Sequence, residues 1–294
     1  MKKIFISFLL LVLGLLIWQW VRTQKPIPAT QAVVVSGYVP YTLVHQLVGD
    51  AIPIEMLLPA GTEPHAFEPT PFVLVQLQRA GAFIFTSAVL EPWAADLAKS
   101  VPSGVPVLQL DKQISFTTDP HSWMNLHNGQ VMAYQVAVLL AQLEAVPREK
   151  LDENYLQLAQ ELEELEKDFA RTLASCQYKE VVHIGHSAFG NLLTPYGIKL
   201  TALAGSSHEG EQSAKKIVEL IREIKDKNLP AIFTEETISP RLAQTVAAET
   251  GVEILKLYPI EHISKTDFEA RVTYADLMRR NLQNLARGLQ CPSL

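Results

Sequence analysis

The stretch LDENYLQLAQELEELEKDFARTLAS, residues 151–175, decides how the chain is organised. Its apolar residues recur at helical spacing among many charged ones, which is the pattern of one long charged helix. Helical spacing without a strand signal begins earlier, near Asn128, and is interrupted only by the sequence VPRE around Pro147. We therefore predict a linker helix over residues 128–175 that divides the chain into two parts.

Strands alternate with helices on both sides of this linker. Before it, the β-branched run AVVVSGYVP precedes the helical pattern YTLVHQLVGD, and after it KEVVHIG opens a similar series. Such alternation is typical of a mainly parallel sheet with helices on both faces. The predicted fold class is therefore α/β with two lobes, residues 33–127 and residues 176–294. The expected ligand site is the cleft between the lobes, beyond the carboxyl ends of their strands.

Length and charge limit the classes of function. The 294 residues fit one large domain or two ordinary ones. The 31 acidic and 25 basic residues give a net charge of −6 and are scattered along the chain. Because no basic patch results, the sequence disfavours nucleic-acid binding.

The N-terminal residues 1–25, MKKIFISFLLLVLGLLIWQWVRTQK, combine two lysines, an apolar run from Ile4 to Trp18 and a polar exit. This is the pattern of an export signal. Extended through Val21, the run approaches the roughly 20 residues of a spanning helix, so an uncleaved anchor in the inner membrane fits as well. Either alternative places the chain from about Pro26 onward in the periplasm or on the extracytoplasmic face of the inner membrane.

Two cysteines, Cys176 and Cys291, lie far apart in the sequence. A disulfide persists in an exported chain, but spacing alone does not show proximity, so a bridge and two unrelated thiols both stay open. Two cysteines are too few for a thiolate metal site.

Three histidines are candidate metal ligands. His65 lies in AGTEPHAFEPTP after a predicted strand, His121 lies in DPHSWMNLHNG before the linker, and His186 follows the strand-like EVVHIG. Because they come from three loops, two in the first lobe and one in the second, they suit a metal held between the lobes. Imidazole is the common ligand of zinc.

An acid and a proline precede the first two candidates: Glu63 and Pro64 before His65, and Asp119 and Pro120 before His121. Glu63 and Asp119 are placed to orient an imidazole by accepting its second N–H. The same acids also suit a role in capping the turn.

The remaining histidines carry weaker signals. The strand position of His183 indicates a core residue, and the helical positions of His45 and His127 indicate structural or solvated side chains. His208 and His262 lie in predicted loops and stay open as candidates.

Hydrolase motifs do not fit the chain. GHSAFG resembles the G-x-S-x-G elbow around a nucleophilic serine, but after Ser187 the second glycine comes one residue late, at Gly190. The chain contains no H-E-x-x-H zinc-protease motif.

Several motifs together resemble one family. They are PAGTEPHAFEPTP, LEPW, DPHSWMN, HSAFGNLLTPYGI, IFTEE and TYADLMRRNLQNL, in this order between about Val33 and Leu289. The chain resembles the solute-binding proteins of bacterial zinc and manganese ABC importers, which include periplasmic zinc-uptake receptors and metal-binding adhesin lipoproteins. The resemblance implies two α/β lobes joined by a rigid helix, with a metal in the cleft bound by His65, His121 and His186.

The resemblance leaves the fourth ligand open. Manganese-type members tend to have glutamate at the third ligand position, so His186 favours Zn²⁺ over Mn²⁺ or Fe²⁺. The family's usual fourth ligand is an aspartate in a segment like LDPL, whereas this chain reads LYPI with Tyr258 at that position. Water, Glu235 or Glu261 then remain to complete the site, and of these water or Glu235 is preferred.

The function that the resemblance implies is a monomeric, non-enzymatic receptor that captures Zn²⁺ and delivers it to the membrane permease of an ABC importer. The alternative from another class is a zinc hydrolase, whose metal would keep an open position for an activated water. A weaker alternative is an adhesin-like surface protein with a structural metal.

Overall fold

A computed structural model describes residues 32–62, 64, 67–114, 119–143, 146–204, 214–235 and 240–292. The predicted export segment, residues 1–25, lies outside the described residues, as do Glu63, His65 and His208. None of the helices within the described ranges is long and apolar enough to cross a membrane.

The first lobe is a four-stranded parallel sheet with the strand order β2-β1-β3-β4. Its strands are β1 (Val33–Val35), β2 (Ile54–Met56), β3 (Ala82–Phe85) and β4 (Val107–Gln109), and its helices are α1 (Tyr38–Val48), α2 (Phe72–Leu77) and α3 (Pro92–Ala98). The central strands β1 and β3 are buried along their whole length. A strand covered on both faces is apolar throughout rather than alternating, which is why AVVV and AFIF read as continuous runs.

The second lobe repeats this arrangement with the strand order β6-β5-β7-β8, again all parallel. Its strands are β5 (Glu180–Ile184), β6 (Lys199–Ala202), β7 (Ala231–Thr234) and β8 (Glu253–Lys256). The two-lobed α/β fold predicted from the alternating pattern is therefore confirmed.

Helices connect and flank the lobes. They are α4 (Leu126–Gln142), α5 (Arg148–Ala174), α6 (Gly190–Leu193), α7 (Ala214–Asp226), α8 (Pro240–Thr250), α9 (Lys265–Glu269) and α10 (Tyr274–Gly288), with short 3₁₀ helices at Leu110–Gln113, Ser122–Met124 and Thr194–Tyr196. The long linker helix is α5, but its predicted start at residue 128 is wrong. Pro147 precedes the first residue of α5, and proline disfavours helical geometry in the residue before it, so residues 128–175 hold two helices.

Helix α5 holds the two lobes together through one apolar stripe. The buried side chains of this stripe are Leu151, Leu158, Leu162, Leu165, Phe169 and Leu173. Each buried side chain of this size contributes roughly 2 kcal/mol of hydrophobic free energy. They belong to one continuous core that runs from Val35 in the first sheet to Phe233 in the second.

Cys176, just after α5, and Cys291, just after α10, are joined by a disulfide. The bridge connects two points that are 115 residues apart in the sequence. It fixes the end of the linker helix to the end of the last helix.

Candidate metal centre

His121, His186 and Glu261 come together at the carboxyl edges of the two sheets. One potential ligand atom from each lies within 4.8 Å of the others, and all three side chains are buried. The Nε2 atom of His121 is 3.5 Å from one oxygen of Glu261, and the Nε2 atom of His186 is 3.3 Å from the other. Ligand atoms about 2.05 Å from a tetrahedral zinc ion lie roughly 3.3 Å apart, so these separations match a shared ion.

The imidazole of His121 is oriented by the acid two residues before it. Oδ1 of Asp119 accepts from Nδ1 of His121 at 2.7 Å and from the backbone N–H of the same residue at 3.0 Å. The first contact fixes the tautomer that leaves Nε2 facing Glu261. The second is a turn-capping contact, so Asp119 fills both of the roles considered for it.

The imidazole of His186 is oriented in the same way from the second lobe. Oε1 of Glu235 lies 2.9 Å from Nδ1 of His186 and accepts from its backbone N–H at 3.1 Å. His183, buried as predicted, has Nε2 3.6 Å from the same oxygen. Glu235 thus lies behind the His186 ring, and this geometry favours Glu261 over Glu235 as the oxygen ligand.

Only glycine fits between β5 and His186. A Cβ added at Gly185 would lie 2.2 Å from Oε1 of Glu235 and 2.4 Å from Cε1 of His183. The close approach of backbone to side chain at this point brings Glu235 within reach of His186.

The carboxylates perturb both imidazoles. Burial lowers the pKa of His186, but hydrogen bonds to Glu235 and Glu261 outweigh it and raise that pKa to about 10. Burial likewise opposes the charged form of His121, and Asp119 and Glu261 raise its pKa overall. Burial raises the pKa of Asp119 and Glu235, while the histidines that contact them lower it below its usual range. These carboxylates stabilise positive charge in the pocket.

The loop that carries Glu261 is fixed at several points. Asn281 accepts from the backbone N–H of Tyr258 at 2.8 Å and donates to its carbonyl at 2.9 Å. The indole N–H of Trp123 donates to the carbonyl of Pro259 at 2.8 Å. Ile260 has a φ of 65°, a left-handed conformation that costs a β-branched residue on the order of 1–3 kcal/mol. The turn at Ile260 precedes Glu261 and places its carboxylate in the site.

Tyr258, at the position where the resembling family has an acid, does not supply a carboxylate. Its ring lies 5.7 Å from the guanidinium carbon of Arg280. Glu261, three residues later, has its carboxylate beside His121 and His186 instead.

The first-lobe loop that contains the first acid-Pro-His motif runs beside the Glu261 loop. The backbone N–H of Gly61 donates to the carbonyl of Ile263 at 2.8 Å. Pro64 lines a small cavity together with Glu91 and Glu261. The neighbours of Pro64 in the sequence, Glu63 and His65, lie outside the described residues, so their assigned roles stay predictions.

Glu91 is a buried acid that the sequence reasoning did not single out. Ser36 Oγ lies 2.9 Å from both of its oxygens, and the backbone N–H groups of Thr86 and Ser87 donate to Oε2 at 2.8 and 3.3 Å. Burial raises the pKa of Glu91 to about 7 despite these donors. The motif LEPW, an acid between an apolar residue and a proline, was its only signal.

The other histidines of the described chain divide between site and surface. His262 is buried, with Nδ1 3.7 Å from Oε1 of Glu261, so one of the two histidines left open borders the site. His45 lies 3.7 Å from Asp50. His127 is exposed on α4.

Comparisons with known proteins identify the family of the chain. The family model described as zinc-uptake complex component A, periplasmic (ZnuA), matches residues 33–288. The zinc-binding protein AdcA of Streptococcus pyogenes serotype M18 (strain MGAS8232) is 27% identical, over 97% of this chain and 61% of AdcA. The chain therefore spans about three fifths of the length of that relative.

Two further similarities cover most of both chains compared. The high-affinity zinc uptake system protein ZnuA of Bacillus subtilis (strain 168) is 28% identical over 87% of each chain. The Zn(II)-bound ZnuA-like domain of Streptococcus pneumoniae AdcA superposes with a TM-score of 0.78 at 28% identity, covering 88% of this chain and 99% of that one. With a family match over 33–288, the chain belongs to the ZnuA family of periplasmic zinc-uptake components.

Proposed function

We propose that the protein binds one Zn²⁺ through His121, His186 and Glu261, with His65 as the fourth ligand. The observation that carries this proposal is the meeting of two imidazole Nε2 atoms with one carboxylate at 3.3 and 3.5 Å. Pro64, the residue before His65, lines a small cavity with Glu261, and this neighbourhood supports His65 as the fourth ligand.

The donor set supports zinc over manganese. Three imidazole nitrogens and one carboxylate oxygen match the tetrahedral ligand sets of zinc, whereas manganese favours oxygen-rich octahedral sites. Asp119 and Glu235 accept the second N–H of two of the imidazoles, which raises the basicity of those ligands.

The same ligand count argues for binding rather than catalysis. A catalytic zinc keeps one coordination position open for water, whereas four protein ligands close the site. We therefore propose a non-enzymatic role rather than a zinc hydrolase.

The biological role that follows is an extracytoplasmic, monomeric receptor. It captures Zn²⁺ and delivers it to the permease of an ABC importer, either as a secreted protein or attached through residues 1–25. The relatives named for zinc binding and zinc uptake support this role.

The test is metal binding by the full exported chain after removal of metal by a chelator. We expect one zinc per chain, and competition with manganese should favour zinc. His121→Ala should weaken zinc binding strongly. His45→Ala is the matched control, because His45 lies near Asp50 and not near Glu261. Equal affinity of the two variants, or a preference for manganese, would refute the proposal.

A further inference from the structure

The segment that carries His121 is held by residues of the second half of the chain. The carbonyl of Asp119 accepts from Nδ2 of Asn191 at 2.9 Å, and Trp123 donates to the carbonyl of Pro259. The hydroxyl of Tyr274 donates to the carbonyl of Trp123 at 2.7 Å. Three elements that follow β5 thus fix residues 119–123.

Asp119 joins this attachment directly to the metal site. Its Oδ1 accepts from the His121 ring at 2.7 Å, and its Oδ2 accepts from the backbone N–H of Asn191 at 3.1 Å. One carboxylate therefore sets the orientation of the imidazole and also contacts α6. A movement of α6 relative to Asp119 would turn or release the His121 ring.

The contact leaves no room for a side chain at Gly190. A Cβ added there would lie 2.7 Å from Oδ2 of Asp119, closer than real Cβ atoms approach. To accommodate it, the carboxylate would have to rotate, and rotation breaks its contact with Asn191 or with His121.

We propose that Asp119, Asn191 and Gly190 form a positioning clasp that makes zinc affinity depend on the docking of α6 against residues 119–121. The clasp rests on the proposed zinc-binding function and deepens it. Asn191 and Gly190 act through Asp119, which orients His121. The clasp ties His121, which precedes the linker, to His186 and Glu261, which follow it, as one set of ligands.

The test compares Asn191→Ala and Gly190→Ala with Asn154→Ala. Asn154 is the matched control because its Nδ2 also donates to a backbone carbonyl of another element, that of Leu47 at 2.7 Å, between α5 and α1. Loss of a partner that orients a ligand typically costs 10- to 100-fold in metal affinity. Asn191→Ala removes the side-chain bond to the carbonyl of Asp119 but keeps the backbone N–H that donates to its carboxylate, so it weakens the docking of α6 without abolishing it. We therefore expect about a tenfold loss of zinc affinity in Asn191→Ala. Gly190→Ala displaces the carboxylate itself and should lose more, with Asn154→Ala unchanged.

Two results would overturn the clasp. One is wild-type zinc affinity in both clasp variants, and the other is an equal loss in Asn191→Ala and Asn154→Ala, which would indicate a general effect on folding. Should Gly190→Ala not fold, Asn191→Ala decides.

A second readout separates the clasp from the proposed function. In the metal-free protein, ¹⁵N NMR of the imidazoles reports the proton on Nδ1 of His121. We expect that signal to change in Asn191→Ala and to stay the same in Asn154→Ala. If the wild type does not bind zinc, the proposed function fails, and an unchanged His121 signal in Asn191→Ala would then overturn the clasp as well.

Discussion

Replacing Glu91 by glutamine should change how stability depends on pH. The folded chain holds the pKa of this carboxyl at about 7, against an ordinary value of 4.5. Because the pKa is raised in the folded state, the folded chain binds more protons at Glu91 than the unfolded chain does between these two values. The contribution of Glu91 to the free energy of unfolding therefore falls as pH rises from about 4.5 to 7. The difference between a pKa of about 7 and the ordinary 4.5, at about 1.36 kcal/mol per pH unit, corresponds to roughly 3 kcal/mol.

Glutamine removes this dependence because it does not ionise. Its amide also fits the contacts, with oxygen accepting from Thr86 and Ser87 and nitrogen donating to Ser36. The wild type should lose this stability as pH rises, whereas Glu91→Gln should not. The free energy of unfolding of Glu91→Gln minus that of the wild type should therefore increase by roughly 3 kcal/mol from pH 4.5 to pH 8.

The assay is urea unfolding of metal-free protein at several pH values. Glu249→Gln, at an exposed position of α8, is the control and should show no such trend. A difference between Glu91→Gln and wild type that does not vary with pH, or that decreases as pH rises, would refute the argument from burial.

Three further predictions concern the site and the disulfide. Glu261→Gln should reduce zinc affinity by more than about 100-fold, whereas Glu235→Gln should reduce it by about 10- to 100-fold, because Glu235 only orients His186. Chelator competition measures both affinities, and a larger loss in Glu235→Gln would contradict the ligand assignment. Zinc binding at pH 7 should release protons, because the pKa of His186 is about 10 in the metal-free chain and a zinc-bound imidazole is neutral. Zinc affinity should therefore fall as pH falls. Calorimetry in buffers of different ionisation enthalpy measures the proton release, and binding without proton release would contradict this prediction. Replacing both Cys176 and Cys291 by serine should lower the free energy of unfolding by about 5 kcal/mol, since the bridge closes a loop of 115 residues; an unchanged urea midpoint would argue against the bridge.

The fold could be predicted from the sequence because the patterns that indicate its strands and helices are local. Strands buried on both faces require apolar residues at every position, and AVVV, AFIF and AIFT provide them. The extent of the linker helix was harder to predict, since helical spacing on both sides of the VPRE interruption was assigned to one helix, whereas the chain forms two, α4 and α5. The lobe boundaries at residues 127 and 176 stay predictions, because the core is continuous across both sheets.

The residues of the site could be predicted only in part from the sequence. His121 and His186 had local signals, a preceding acid and proline in one case and a preceding strand in the other. Glu261 had none that ranked it above Glu235, because its position depends on the left-handed turn at Ile260 and on contacts from Trp123 and Asn281, which are distant in sequence. Glu235 follows a strand directly, as a ligand would, but its carboxylate lies behind the His186 ring.

The most direct test of the central claim is an anomalous difference map, recorded at the zinc absorption edge, from crystals of the zinc-loaded chain. We predict one peak about 2.0–2.2 Å from Nε2 of His121, Nε2 of His186 and a carboxylate oxygen of Glu261. A peak elsewhere, or one bonded to both imidazoles but beyond 3 Å from Glu261, would contradict it.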